Sequence, residues 1–167
     1  MIEKLIRQHA QDLRVAEGIN AEAILWAIYR CEKYTATNQE PRFEPAYAPG
    51  GHYYNHSTPV QELYTKWGNW AACSYSNFQI LFVTAVELGY PGPPLGLDRD
   101  EVALPYVVKL LNVRIFDRPG NETVEQVADA YNSGNFKDTN VPEAYIRKFV
   151  EAYNKALPTC TTSNEPV

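Results

Sequence analysis

The chain has 167 residues, a formal charge of −5 and no run of Lys or Arg, which argues against nucleic acid or an anionic membrane as the main partner. Its length suits one domain that buries roughly two-thirds of its unfolded surface, and no apolar stretch approaches a transmembrane span. Cys31, Cys73 and Cys160 have no CxxC or CxxH spacing, so they read as reduced thiols and imply neither a disulfide framework nor a zinc site.

Ile2, Leu5, Ile6, His9, Leu13 and Ala16 fall at helical spacing and predict a packing helix over residues 2 to 17. His9 reads as a core-edge histidine. Charged residues interrupt this N-terminal stretch, so it lacks the apolar core of a signal peptide. Gly18 ends the helix, and Asn20 is placed to cap a second one from Ala21 to Tyr34, with Ile24, Ala27, Ile28 and Cys31 on its core face. Leu25, Ile28 and Glu32 share a neighbouring line, which puts Glu32 at the edge of the apolar face in the last turn. Partial desolvation and the carbonyl end of the helix both disfavour a negative charge there. That is the environment of a general acid working near neutral pH. The plain alternative is a solvated helix-end glutamate with Arg30 or Lys33 folded toward it.

From Thr35 to Thr58 the helical period disappears among Pro41, Pro45, Pro49, Gly50 and Gly51, which predicts a long loop or small β excursion. It carries Glu40, Glu44, Tyr47, His52, Tyr53, Tyr54 and His56. Aromatic rings outside a core often touch a ligand, and Tyr53, Tyr54, Trp67 and Trp70 suit the C–H faces of sugars, although Trp67 and Trp70 suit a core equally. His52 and His56 have a metal-ligand spacing only if they lie on a helix, which Gly50, Gly51 and Pro59 argue against, so no metal or other cofactor is expected.

A short helix is predicted over 60 to 70. AACSYSNFQI then leads into another that stops at Gly89, with Ser74 or Ser76 as its cap. Gln79, set among Phe78, Ile80, Leu81 and Phe82, needs a backbone partner or a cleft. After the PGPPLG turn, Asp98 with Glu101 forms a plausible capping box for a helix to about Phe116, kinked or restarted at Pro105. Asn121 is placed to cap TVEQVADAYN, which Ser133 and Gly134 close. The last helix starts near Pro142 and carries Tyr145, Ile146, Phe149, Val150 and Tyr153 on its core face. Residues 158–167 read as a disordered tail beyond a domain of residues 1–157.

Three signatures stand at helix ends: IYRCE ending at Glu32, SYSNFQI from Ser74 to Ile80, and Ala130-Tyr131-Asn132 before a small-residue turn. Their order resembles the lysozyme superfamily, specifically goose-type lysozymes and lytic transglycosylases, and RFEP at 42–45 is similar to a segment that follows the catalytic glutamate in phage N-acetylmuramidases. Ser76 stands where that family usually has Gly, and Lys33 where a Ser commonly follows the acid. The resemblance implies a mainly α, lysozyme-like domain that cleaves the MurNAc-β-1,4-GlcNAc bond of peptidoglycan in a groove between the helical core and the 35–70 excursion. It assigns Glu32 as general acid. Ser74, Tyr75, Gln79, Tyr131, Asn132, Tyr53 and Tyr54 become the substrate-binding residues, with Tyr131 orienting Glu32 or the sugar. Glu32 then either acts alone, giving a 1,6-anhydro product, or works with a second carboxylate, Glu44 with Glu40 behind it, as an inverting hydrolase; the plain alternative for Glu44 is a partner of Arg42 or a loop charge. Glycan strands are the expected partner, the chain is expected to be a monomer without membrane insertion, and a phage-encoded or virion-associated enzyme fits the missing signal peptide. A non-catalytic glycan-binding or virion module of the same fold is the alternative. A metal-dependent hydrolase built on His52 and His56 is a third reading.

Overall fold

A computed structural model of the chain describes residues 1–34, 41–118, 123–133 and 142–161, with side chains to residue 157. The described residues are mainly helical, with one small antiparallel sheet. No helix among them is long and apolar enough to cross a membrane. The chain packs as two compact units, one of residues 1–32 and 108–167 and the other of residues 33–107.

In the first unit, α1 (Ile2–Ala10) buries Ile6 completely. The predicted helix to residue 17 stops at Ala10 because a distant side chain claims the backbone beyond it. Asn112, itself buried, donates Nδ2 to Asp12 O at 2.8 Å and accepts the Arg14 N–H at 2.9 Å. Those groups are therefore spent on an amide instead of a helical ladder. Gly18 turns the chain at φ +85°, and Asn20 caps α2 (Ala21–Glu32) as predicted, its Oδ1 accepting the Ala23 N–H at 2.8 Å.

Ala23, Ile24, Leu25, Ala27 and Ile28 of α2 are buried. Their main neighbour is α8 (Glu143–Thr161), whose Phe149, Ala152, Tyr153 and Ala156 are also buried. α8 runs through residues 158–161, which were predicted as tail; residues 162–167 lie outside the described residues. α7 (Val124–Ser133) packs on α8 through Val127, Ala128 and Ala130. Its start carries a capping box at Thr123, which gives its N–H to Gln126 Oε1 and accepts the Gln126 N–H. The predicted cap, Asn121, and the predicted stop at Gly134 lie outside the described residues.

In the second unit, β1 (Arg42–Phe43), β2 (Cys73–Tyr75) and β3 (Ile80–Leu81) form the sheet in that order. Arg42 pairs with Ser74, and Tyr75 with Ile80. The 35–59 excursion holds more helix than its composition suggested: a 3-10 turn over Pro45–Tyr47 and α3 (His52–His56) precede α4 (Thr58–Trp67). Gly51 stands at the N-cap of α3 and Pro59 in the first turn of α4, so these residues bound helices here rather than break them. After β3 come α5 (Phe82–Glu87) and a 3-10 turn at Pro94–Asp98. Tyr90 donates its hydroxyl to Pro93 O, and a Cβ at Gly92 or Gly96 would run into that hydroxyl, which is why the turn needs both glycines. α6 (Asp100–Leu111) passes through Pro105 without interruption and continues as a π-turn over Asn112–Phe116. Pro105 has no N–H to give the carbonyl one turn before it, which belongs to Glu101, an exposed residue.

Asn112→Ala should therefore remove two hydrogen bonds that a buried amide makes to the backbone of Asp12 and Arg14 and cost about 1–3 kcal/mol. A lowered urea midpoint at unchanged slope is the expected result; a midpoint equal to the parent's would show that the α1 terminus does not depend on this amide.

Candidate active site

Glu32 is the last residue of α2 and is partly buried. Tyr145, in the first turn of α8, donates its hydroxyl to Glu32 Oε1 at 2.6 Å, within the range of a charge-assisted bond. Phe149, one turn along α8 and fully buried, holds the Tyr145 ring at a centroid distance of 6.3 Å. The apolar stripe thus fixes the ring while its polar tip reaches the carboxylate. Burial, and then the negative charge and hydrogen bond of Glu32, push the Tyr145 phenol far above its ordinary range. It remains a neutral donor at any working pH.

Other side chains lie close to Glu32 and Tyr145. Tyr131 of α7 lies near enough to Tyr145 that its charge would oppose ionisation of that phenol. The next residue, Asn132, is exposed. Burial pushes the Cys31 thiol up to about 11, with Glu32 adding to the effect and the Lys148 ammonium opposing it. Lys148 also donates to the Cys31 carbonyl at 2.9 Å, a cation at the end of a helix where carbonyls lack partners.

In the second unit, SYSNFQI is a β-hairpin and not the start of a helix. Ser76 and Gln79 bracket its turn in the left-handed region, at φ 63° and 51°. The expected serine cap does exist, but it closes the hairpin: Ser76 Oγ accepts the Phe78 N–H at 3.1 Å. The following helix begins only at Phe82, without a side-chain cap. Gln79 finds the backbone partner expected of it, Nε2 donating to Ser76 O at 2.9 Å, while its Oε1 is buried without a hydrogen-bond partner.

Around this turn is a polar network that the sequence reading missed. Asn77 gives its N–H and Nδ2 to the two oxygens of Asp100 at 3.0 and 2.9 Å, and its Oδ1 accepts the Tyr34 N–H. The Tyr34 hydroxyl donates to Asp98 Oδ1 at 3.0 Å, so Asp98, expected to cap a helix, holds a phenol. Burial and then Asp98 push that phenol above its ordinary range, against hydrogen bonds from Gln79 and Ser76.

The other expected site residues divide clearly. Tyr75 is fully buried and its hydroxyl donates to Trp70 O at 2.6 Å, a packing position and not a ligand-facing one. Ser74 is buried and donates to Glu44 Oε1 at 3.1 Å; the same oxygen accepts Arg42 Nε at 2.6 Å. Glu44 is therefore the partner of an arginine and a serine. Tyr53 is exposed and stacks on Tyr47 at 4.6 Å, whereas Tyr54 packs edge-on against Tyr64. His52 and His56 do share a helix, with ring centroids 5.0 Å apart, and no group of three metal-ligating side chains comes together among the described residues. Glu40 lies outside the described residues.

Tyr145 is the group whose role the sequence hid, because its spacing assigns it to the apolar stripe of α8. Only its hydroxyl marked it as a side chain that needs a polar partner at the end of its ring. No protein-family model, curated protein or solved structure matches the chain, so function is argued from these residues.

The Cys31 thiol gives a pH signature. Its folded-state value of about 11 exceeds the ordinary 9.0, so the folded chain holds this proton more tightly. The resulting stability is complete below pH 9 and is lost as pH rises through 11. Urea midpoints should fall across that window, and Cys31→Ala should shrink the fall; an identical profile in the variant would contradict the assignment.

Proposed function

We propose that the protein is a peptidoglycan-cleaving glycosidase of lysozyme-like, lytic transglycosylase type, with Glu32 as its general acid. The observation that carries the reading is the half-buried carboxylate at the end of α2, held at 2.6 Å by a neutral phenol. The mainly helical fold and the left-handed backbone of Ser76, where the resembling family has Gly, agree with it.

In this mechanism the protonated Glu32 gives its proton to the oxygen linking N-acetylmuramic acid to N-acetylglucosamine. The C1–O bond breaks, the N-acetylglucosamine leaves as its C4 alcohol, and positive charge develops at the muramoyl C1. The Glu32 carboxylate then takes the proton of the muramoyl C6 hydroxyl as that oxygen attacks C1. The product is a 1,6-anhydro sugar, and the acid is regenerated. No second carboxylate and no metal enters the cycle. We favour this continuation over inverting hydrolysis because Glu44 Oε1 is already engaged by Arg42 and Ser74.

A second reading, a glycan-binding module without turnover, draws on the exposed Tyr53 ring backed by Tyr47, a surface suited to a sugar face. Zymography on purified peptidoglycan separates the two. The protein should clear the gel, chelator should leave clearing unchanged, and Glu32→Gln should lower the rate by about 10²–10⁴-fold. Absence of clearing by the parent protein would sink the enzyme reading. Mass spectrometry of the released muropeptides should find anhydro ends; reducing ends alone would mean hydrolysis.

A further inference from the structure

We propose that His52 and His56 form a two-histidine chelate for a late first-row divalent cation of the zinc, nickel or copper class, a clip that closes across one turn of α3. The inference stands apart from the glycosidase reading, and nothing in the Glu32 cycle calls on such an ion.

Side chains four positions apart meet on one side of a helix. The spacing of His52 and His56 suits a metal only on a helix, and the structure supplies the helix: both residues belong to α3, both are exposed, and their ring centroids stand 5.0 Å apart with the planes at 54°. A cation about 2.0–2.1 Å from one nitrogen of each imidazole lies about 3.2 Å from each ring centre, so N–metal–N angles of about 90–110° set the centres about 4.5–5.2 Å apart. The observed 5.0 Å falls inside that window. Imidazole nitrogen suits zinc, nickel and copper, whereas magnesium and calcium call for oxygen. No third His, Cys, Asp or Glu joins the pair among the described residues, so water takes the remaining positions around the ion.

The turn that carries the pair is ordered in advance. A helix of five residues does not stand alone in water, and its neighbours fix it. Tyr53 stacks on Tyr47 at 4.6 Å, Tyr54 meets Tyr64 edge-on, and Gln61 Nε2 donates to Tyr54 O at 2.8 Å. At its start, a Cβ on Gly51 would run into the Pro45 and Ala46 carbonyls, so the chain enters the helix pressed against the preceding 3-10 turn. Ligands presented on an ordered turn lose little freedom when an ion joins them. The competing account is an aromatic cluster with no affinity for metal, since His52 also meets the Tyr53 ring edge-on at 5.2 Å.

The test titrates zinc chloride into the full chain at neutral pH, followed by calorimetry and by proton–nitrogen correlation spectra of its three histidines, His9, His52 and His56, with magnesium chloride as the control. Zinc should bind at one site per chain and move the His52 and His56 imidazole signals together while leaving His9 in place, and magnesium should do neither. His52→Ala and His56→Ala should each weaken binding about a hundredfold, because either ring alone holds the ion by a single bond. The spectra of the unsubstituted protein decide the matter if a variant does not fold. No zinc binding, binding that persists when both histidines are replaced, or movement of only one of the two signals would overturn the chelate and leave the aromatic cluster.

Discussion

The packing of α2 against α8 is the constraint on which the first unit depends. The two helices run in opposite senses, so the start of α2 meets the middle of α8 and its end meets the start. The Tyr153 hydroxyl accepts the Asn20 N–H, Arg30 donates to the Ala152 carbonyl, Lys148 to the Cys31 carbonyl, and Tyr145 to Glu32. These bonds join residues 113 to 133 positions apart. The entropy of closing such loops grows only slowly with length, and the buried seam of Ile24, Ile28, Phe149 and Ala156 offsets it. The position of the Glu32 carboxylate is thus a result of packing along the whole helix pair. A cavity opened in the seam would loosen it as surely as a change at Tyr145.

What the sequence made legible is what local periodicity and capping encode. The Asn20 cap, the buried Ile24, Ala27 and Ile28, and the core face of α8 at Phe149 and Tyr153 all follow from spacing and side-chain chemistry. What it hid was decided by partners far along the chain. Nothing between residues 2 and 17 announces that α1 ends at Ala10, because the group that ends it, Asn112, lies about a hundred positions away. A serine that caps a helix and one that closes a hairpin look alike in sequence, so Ser76 was assigned to the wrong element. Gly51 and Pro59 read as helix breakers because position within a helix, not identity, decides their effect. Tyr145 was legible as apolar and illegible as polar, since its ring obeys the stripe and only its oxygen departs from it.

The hairpin at residues 76 to 79 shows a second constraint. Two non-glycine residues in the left-handed region cost roughly 1–2 kcal/mol each, and the buried Gln79 Oε1 without a partner adds a desolvation cost. Such a turn persists only where its surroundings fix it. Here Asn77 ties the tip to both Asp100 oxygens and to the Tyr34 backbone, and Phe78 is fully buried beneath it. The strain is local, and the groups that oppose it are hydrogen bonds whose geometry would tolerate little change of residue.

The two carboxylates singled out by the sequence end in different chemical settings. Glu44 faces a guanidinium at 2.6 Å and a buried serine hydroxyl. Its charge is compensated where it stands, in a partly exposed ion pair of the kind that contributes little to stability. Glu32 accepts a hydrogen bond at 2.6 Å from the Tyr145 phenol, a donor that carries no charge of its own. A phenol can donate to an ionised carboxylate and equally to the carbonyl oxygen of the protonated acid. Acid followed by base is the sequence of states that the proposed transglycosylase cycle demands of a single group. An arginine at the place of Tyr145 would bind the ionised state strongly and hinder the return of the proton. A neutral donor such as Tyr145 is therefore compatible with a two-way proton transfer at the group it holds.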